Sequence, residues 1–389
     1  MTWKRWLKQI ELFRAANARY KCWRLKHGYD ALCKQYGTPS IRRDPAGIEA
    51  LTRRKWDEVR GVTSTSEKRR RVVFIGTDYE QDRSGALQAF GALTDLHVFE
   101  WAPGKYGHRW PTRRSECDEV RHHNARVLRE MVDRLGGVDM IVGQMWGVSM
   151  HWRTIADMRE RGIAVVSIAM DDRHAWIYGT MPDGTPIGTK GIAPYVTLGC
   201  TDAAECVAWY EAEGSRAIFF PEASDPALFA PGDGTKEFDV SFVGASYGVR
   251  GEIVGRLERA GVRVQAYGNG WPAGRIPTDD VPRLFARSKI VLGSGTVGHC
   301  DDFVALKLRD FDAPMSGSLY LTHDNPDFPA LFEVGRELAT FHTIDEAVDR
   351  ARHYLASDAE REAIAAAGRA RCLAEHTWEA RVRLLLALV

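Results

Sequence analysis

From residue 71 onward, short apolar runs alternate with stretches of helical periodicity, and the alternation happens twice. RRVVFIG, LHVFEW, VDMIVGQ, IAVVSIAM and YVTLGC read as strands. Between them lie SGALQAFGAL, a helix near 115–136 and another over 150–161. Strands that are apolar along their whole length need cover on both faces, which implies a parallel sheet clad by helices. The Pro-, Gly- and Asp-dense stretch PEASDPALFAPGDG (221–234) then marks a linker. After it the series restarts. DVSFVGA, VRVQAYG, KIVLGSG, SLYLT and RELATF are strands, with helices in YGVRGEIVGRLERAG, VPRLFARS and 305–316. Two doubly wound α/β units in succession leave a cleft facing the carboxyl ends of both sheets, where ligands of such sheets bind.

At 389 residues the chain exceeds one ordinary core. The expected organisation is a basic helical extension and linker over 1–70, a Rossmann-like domain over 71–225, a second over 226–376, and a final helix over 377–389. Residues 1–70 hold 18 Lys and Arg against 7 Asp and Glu, although the whole chain carries a net charge of only +1. Such asymmetry points the front segment at something anionic. Over 3–36, Trp3, Trp6, Leu7, Ile10, Phe13 and Tyr20 fall on one side of a helix with Lys4, Arg5, Lys8 and Arg19 around them. That pattern suits an interfacial membrane helix. It equally suits a helix packed on its own protein with snorkelling basic stems. No run reaches the roughly 20 apolar residues that span a bilayer, and MTWKRWLKQIELF lacks the features of a signal peptide. Seven scattered cysteines form no CxxC, so neither a disulfide framework nor a zinc site is indicated. The expectation is a cytoplasmic protein, with the inner face of the membrane as a contact surface.

Three loops of the second unit follow strand ends. VGASYGVRGE (243–252) is Gly- and Ser-rich and leads into a helix, so Gly244, Ser246, Tyr247 and Arg250 are candidates to hold an anion. In YGNGWP (267–272), Tyr267, Gly268, Gly270 and Trp271 would let a planar base approach closely. KLRDFDAPMSGSLYLT (307–322) places Lys307, Arg309 and Asp312 just before a buried strand.

These motifs, in order and joined by HDNPDFPALFEVGRELATFHTIDEA and the terminal YLASDAEREAIAAAGRARCLAEHTWEARVRLLL, resemble the carboxyl-terminal domain of the CgeB-like spore-maturation glycosyltransferases. The similarity covers 235–389 and extends more loosely to IAMDDRHAW and FFPEASDPALFAP in the first half. It implies a GT-B fold, with two Rossmann-like domains facing a central cleft. The nucleotide sugar would be held by the second domain and the acceptor by the first, and the terminal helix would cross back to the first. Asp312 matches the position where related enzymes carry a ribose-binding Glu, and Lys307 and Arg309 lie one turn earlier, suited to a diphosphate. The partner Glu that many retaining members carry eight residues before the ribose carboxylate is Val304 here. That departure leaves the donor-sugar contact and the stereochemical outcome open.

The implied reaction is metal-independent transfer of a sugar from a nucleotide-diphosphate donor to an acceptor hydroxyl, with no cofactor. Its departing charge can be met by Arg250, Lys307 and Arg309. A base for the acceptor hydroxyl is sought in Asp171, Asp172 and His174 after IAVVSIAM, or in Asp78 after VVFIG. His299 is a further donor-side candidate. The alternatives are a sugar-nucleotide epimerase on the same fold and a non-catalytic nucleotide-sugar-binding protein of envelope assembly. Nucleic acid ranks below membrane or glycolipid as a partner, because the basic front segment shows no nucleic-acid motif.

Overall fold

The computed structural model describes residues 11–389 apart from 67, 77–82, 84, 101–108 and 299, with side chains from residue 16 onward. Six strands, β1 (Arg71–Gly76), β2 (Asp95–Glu100), β3 (Met140–Gly143), β4 (Ala164–Ala169), β5 (Leu198–Thr201) and β6 (Ala217–Phe219), make one parallel sheet. Its order is β2-β1-β3-β4-β5-β6. The other five, β7 (Phe238–Val243), β8 (Val264–Tyr267), β9 (Ser288–Leu292), β10 (Leu319–His323) and β11 (Ala339–Phe341), form a second parallel sheet in the order β11-β10-β9-β7-β8. Each sheet reverses its strand order beside its first strand. That reversal opens a crevice at the strand ends.

The continuous apolar runs explain why these segments sit centrally. Val72 and Phe74 of β1 pack into one core cluster, whereas Val73 and Ile75 pack into another on the opposite face. The second sheet repeats this arrangement. Val240, Phe242, Ile290 and Leu292 enter a cluster on one face, and Val291 and Tyr320 face the other. The largest cluster runs from Phe74 of the first sheet to Tyr320 of the second, so one core passes through the junction.

The front segment joins that junction core. The helix Glu11–Tyr36 inserts Tyr29, and the helix Pro45–Asp57 inserts Ile48, Thr52 and Trp56, all essentially without solvent exposure. Asp44 caps the second of these helices by accepting from Gly47 N, with Pro45 at its first position. Part of the cation surplus is answered by the second sheet's loops, where Lys26 pairs with Asp301 and Asp302 and Arg42 with Asp302. From Lys26 onward this segment is therefore packed on its own protein. Trp3, Trp6, Leu7 and Ile10 lie outside the described residues, and the side chain of Phe13 is not described. The exposed remainder is Tyr20 stacked on Trp23, with Trp23 against His27. At the other terminus, the helix Trp378–Leu388 lies against the helix Ala86–Leu93 of the first sheet's layer. It is held by Trp378 N donating to Ser224 O at 3.0 Å. Among the described residues, no helix is long and apolar enough to cross a membrane.

Candidate functional site

A cleft of about 610 Å³ lies between the sheets. Met170, Asp171 and Glu222 line it from the first domain, and Gly244, Tyr247, Arg250, Gly268, Lys307, Arg309 and Asp312 are among its walls on the second. Two other surface depressions, of about 720 and 510 Å³, lie away from these groups, one on the helix Pro45–Asp57 and one between residues 56–63 and the chain's last helices, and neither gathers comparable chemistry.

The turn after β7 explains how two arginines come to the same wall. Gly244 has φ 153°, and a Cβ there would meet Arg309 Nη1 at 3.0 Å. Its absence lets the Arg309 guanidinium donate to Val243 O at 2.7 Å while lying 5.2 Å from the Phe242 ring centre. Gly268, at φ 135°, would place a Cβ 2.3 Å from Gly244 O, so glycine is required for the two turns to touch. Trp271 Nε1 donates to Gly244 O at 2.7 Å and fastens them together. Arg250 lies over the Tyr247 ring at 4.1 Å and donates to Ala245 O and Ser294 O, each at 3.2 Å. Both guanidiniums are thus anchored by carbonyls rather than carboxylates, and each keeps a buried Nε without a partner. Burial, reinforced by the neighbouring Arg309, pushes the Arg250 guanidinium down to about 10.

Lys307 reaches across the cleft. Its Nζ stands 3.2 Å from Asp171 Oδ1, which belongs to the loop after β4. Burial works against its charge, but Asp171, Asp202 and Glu222 outweigh burial and raise the ammonium above its ordinary value. Lys307 N donates to Asp310 Oδ2 at 2.7 Å, and Tyr320 OH donates to Asp310 Oδ1 at 2.5 Å. Asp310 therefore faces inward and secures the turn, while burial still lifts its carboxyl to about 6. Asp312, one turn along the helix Arg309–Met315, accepts from Ser224 Oγ at 2.7 Å.

The remaining candidates fall elsewhere. Asp172 is fully buried and accepts from Thr189 Oγ1 at 2.5 Å and Trp176 Nε1 at 3.2 Å, so it staples the loop beneath the cleft. His174 Nδ1 is 3.9 Å from Asp171 Oδ1, and burial lowers its imidazole below the ordinary value. Ser246, Tyr267, Gly270 and Trp271 build the turns without lining the cleft. Asp78 and His299 lie outside the described residues. Among the described residues, no group of three His, Cys, Asp or Glu is arranged to hold a metal ion. Glu222, Asn269 and Arg275 line the cleft without having been singled out from sequence. Asn269 and Arg275 sit in or just beyond the YGNGWP turn, whereas Glu222 lies in a segment that reads as plain linker.

The neighbouring junction shows a different arrangement. Arg173, fully buried, donates to Glu205 from the first domain and to Asp327 and Val304 O from the second. Tyr29 OH donates to Glu205 Oε1 at 2.6 Å and Thr52 Oγ1 to Asp327 Oδ1 at 2.9 Å, so the front segment completes this strut.

Two parallel Rossmann-like sheets facing a shared cleft define the GT-B class of fold, and solved structures agree. The chain superposes on sucrose-phosphate synthase from Thermosynechococcus elongatus with a TM-score of 0.57 at 10% identity, covering 82% of this chain and 97% of that one. It matches HepE of Anabaena, solved with UDP, at 0.53 and 11% identity, covering 82% and 100%. A putative UDP-N-acetylglucosamine 2-epimerase from Listeria monocytogenes matches at 0.50 and 12% identity, covering 82% and 96%. Within this fold, residues 250–387, which include Arg250, Lys307, Arg309 and Asp312, match the family model described as glycosyl transferase-like. No curated protein matches the chain.

Proposed function

We propose that this protein is a glycosyltransferase that moves a sugar from a nucleotide-diphosphate donor to an acceptor hydroxyl, and that its finer kinship is with the CgeB-like enzymes. The observation carrying the proposal is the convergence of Lys307, Arg309, Arg250 and Asp312 on one cleft at the carboxyl ends of the second sheet. In this reading the cations meet the diphosphate, Asp312 accepts from the ribose, and the Gly244 and Gly268 turns leave room for the base. The acceptor oxygen bonds to the anomeric carbon while the bond from that carbon to the diphosphate breaks. The acceptor proton passes to a base, for which Asp171 on the opposite wall is the assignment. The leaving diphosphate takes the bonding pair, and fixed donors stabilise its charge without further reorganisation. HepE, of the same fold, is solved with UDP, which makes UDP the first donor nucleotide to try. The enzyme would act in the cytoplasm, with the exposed Tyr20–Trp23–His27 stripe touching an anionic membrane or glycolipid surface.

Thermal unfolding with a panel of nucleoside diphosphates tests the proposal. One of them should raise the melting temperature, and Arg309→Ala with Asp312→Ala should abolish the rise. A double variant that binds normally would remove the site assignment. The fold is shared with a putative epimerase, so the products decide between the readings. Sugar joined to an acceptor supports transfer, and free epimerised sugar in the absence of acceptor supports the alternative. The match to the glycosyl transferase-like family model favours transfer.

A further inference from the structure

Glu222 follows β6 in the crossover between the sheets and has no role in the scheme above. Its side chain is 5% exposed, yet it lines the cleft, and its buried Oε2 has no hydrogen-bond partner. A buried polar atom left unpaired is costly, and native proteins seldom keep one that nothing will use. The charged groups around it are Lys307, Asp310 and Asp312 on the second domain, Asp171 and Asp202 on the first, and the buried guanidinium of Arg381 on the terminal helix. Burial is the main cause that favours the uncharged form of Glu222, with Lys307 opposing it and Asp310, Asp171 and Asp312 adding to it. Together they lift its carboxyl to about 8. A neutral carboxyl beside Lys307 presents an O–H that needs an acceptor. Its backbone is held firmly, since the guanidinium of Arg381 donates to Glu222 O and Pro221 O.

We propose that Glu222 is a ligand-contacting residue whose carboxylic acid donates a hydrogen bond to an oxygen of the donor's diphosphate, beside Lys307. The inference rests on the glycosyltransferase reading and extends its phosphate site to a residue of the first domain. No proton need be transferred, and the carboxyl serves as an uncharged donor among carboxylates that would otherwise repel the anion. An anionic ligand further disfavours ionisation of Glu222, so binding should hold the proton in place.

Calorimetric titration with UDP between pH 7 and pH 9 tests this in the wild type, Glu222→Gln and Glu222→Ala. The amide of Glu222→Gln keeps a donor, so this variant should bind about as tightly as wild type at pH 7. Glu222→Ala should bind roughly tenfold or more weakly, as expected for one hydrogen bond to a charged group. Wild-type affinity should fall above pH 8 while that of Glu222→Gln stays level, a readout that a purely structural role would not move. Unchanged affinity in Glu222→Ala, or parallel pH profiles in wild type and Glu222→Gln, would overturn the contact while leaving the donor site standing. A wild type that binds neither UDP nor any other nucleoside diphosphate would overturn both.

Discussion

Arg173 and Lys307 are both largely withdrawn from solvent, both lie between the two domains, and both face carboxylates, yet they are built for opposite ends. Arg173 uses every one of its N–H groups on Glu205, Asp327 and Val304 O, and Tyr29 and Thr52 occupy the same two carboxylates. Such a centre has no capacity left for a ligand. Lys307 has Asp171 at 3.2 Å, and the carboxyl oxygens of Asp202 and Oε2 of Glu222 around it stay unpaired. A buried ion pair that is fully hydrogen-bonded fixes geometry, whereas one with spare bonding capacity can exchange partners. The contrast separates a closed structural strut at the domain junction from an open cleft with bonding capacity to spare.

Breaking the closed centre should have the largest effect. Arg173→Ala leaves Glu205 and Asp327 uncompensated and should cost about 3–5 kcal/mol of stability, read by urea unfolding. Arg173→Met with Glu205→Gln and Asp327→Asn should recover much of that loss, because no bare charge then stays buried.

Next comes the pH dependence of the open centre. Glu222 has a folded value of about 8 against an ordinary value of 4.5, so the folded state keeps a proton that the unfolded state releases. Its contribution to stability is full below the ordinary value and is lost as pH rises through about 8. Asp172 and Asp310, each near 6, begin the same decline at lower pH. Unfolding free energies measured by urea titration from pH 5 to 9 should fall, by on the order of a few kcal/mol in total. Glu222→Gln should flatten the upper part of that curve. A flat wild-type profile would mean that Glu222 is ionised in the folded protein.

Ligand effects should be smaller and of opposite sign on the two walls. Lys307→Ala should weaken UDP binding by about 1.5–3 kcal/mol, whereas Asp171→Asn, which removes a competitor for the ammonium, should strengthen it by up to about 1 kcal/mol. Weaker binding in Asp171→Asn would show that the ion pair holds the cleft in shape and does not yield to the ligand. Smallest of all, Tyr20→Ala with Trp23→Ala should leave stability within about 0.5 kcal/mol of wild type. The same pair should lower retention on phosphatidylserine vesicles relative to phosphatidylcholine, and equal retention would exclude the stripe as an anionic-membrane contact.

The two centres differed as much in how legible they were. RVVFIG, IAVVSIA and FDVSFV were readable as strands because a parallel sheet buried on both faces leaves a continuous apolar run. β6 was missed because Ala217–Phe219 is three residues long and abuts the Pro-rich crossover. In the site, Lys307, Arg309 and Asp312 stood out through motif resemblance, and the structure brings all three to one cleft. Asp171 and Asp172 could not be separated, because neighbours at a strand end point in different directions and only packing decides which one is buried. The Arg173 strut was invisible for another reason. Its partners stand 32 and 154 positions away along the chain, and no local pattern encodes such a meeting. The basic surplus of the front segment was read as a call for an external anion, yet Lys26 and Arg42 find Asp301 and Asp302 in the same chain.

Crystals grown with UDP test the central claim most directly, through the position of Lys307 Nζ. The account predicts the diphosphate within hydrogen-bonding distance of Lys307 and Arg309, the ribose at Asp312, and Lys307 released from Asp171. UDP bound elsewhere, or a Lys307–Asp171 pair still intact beside it, would contradict the account.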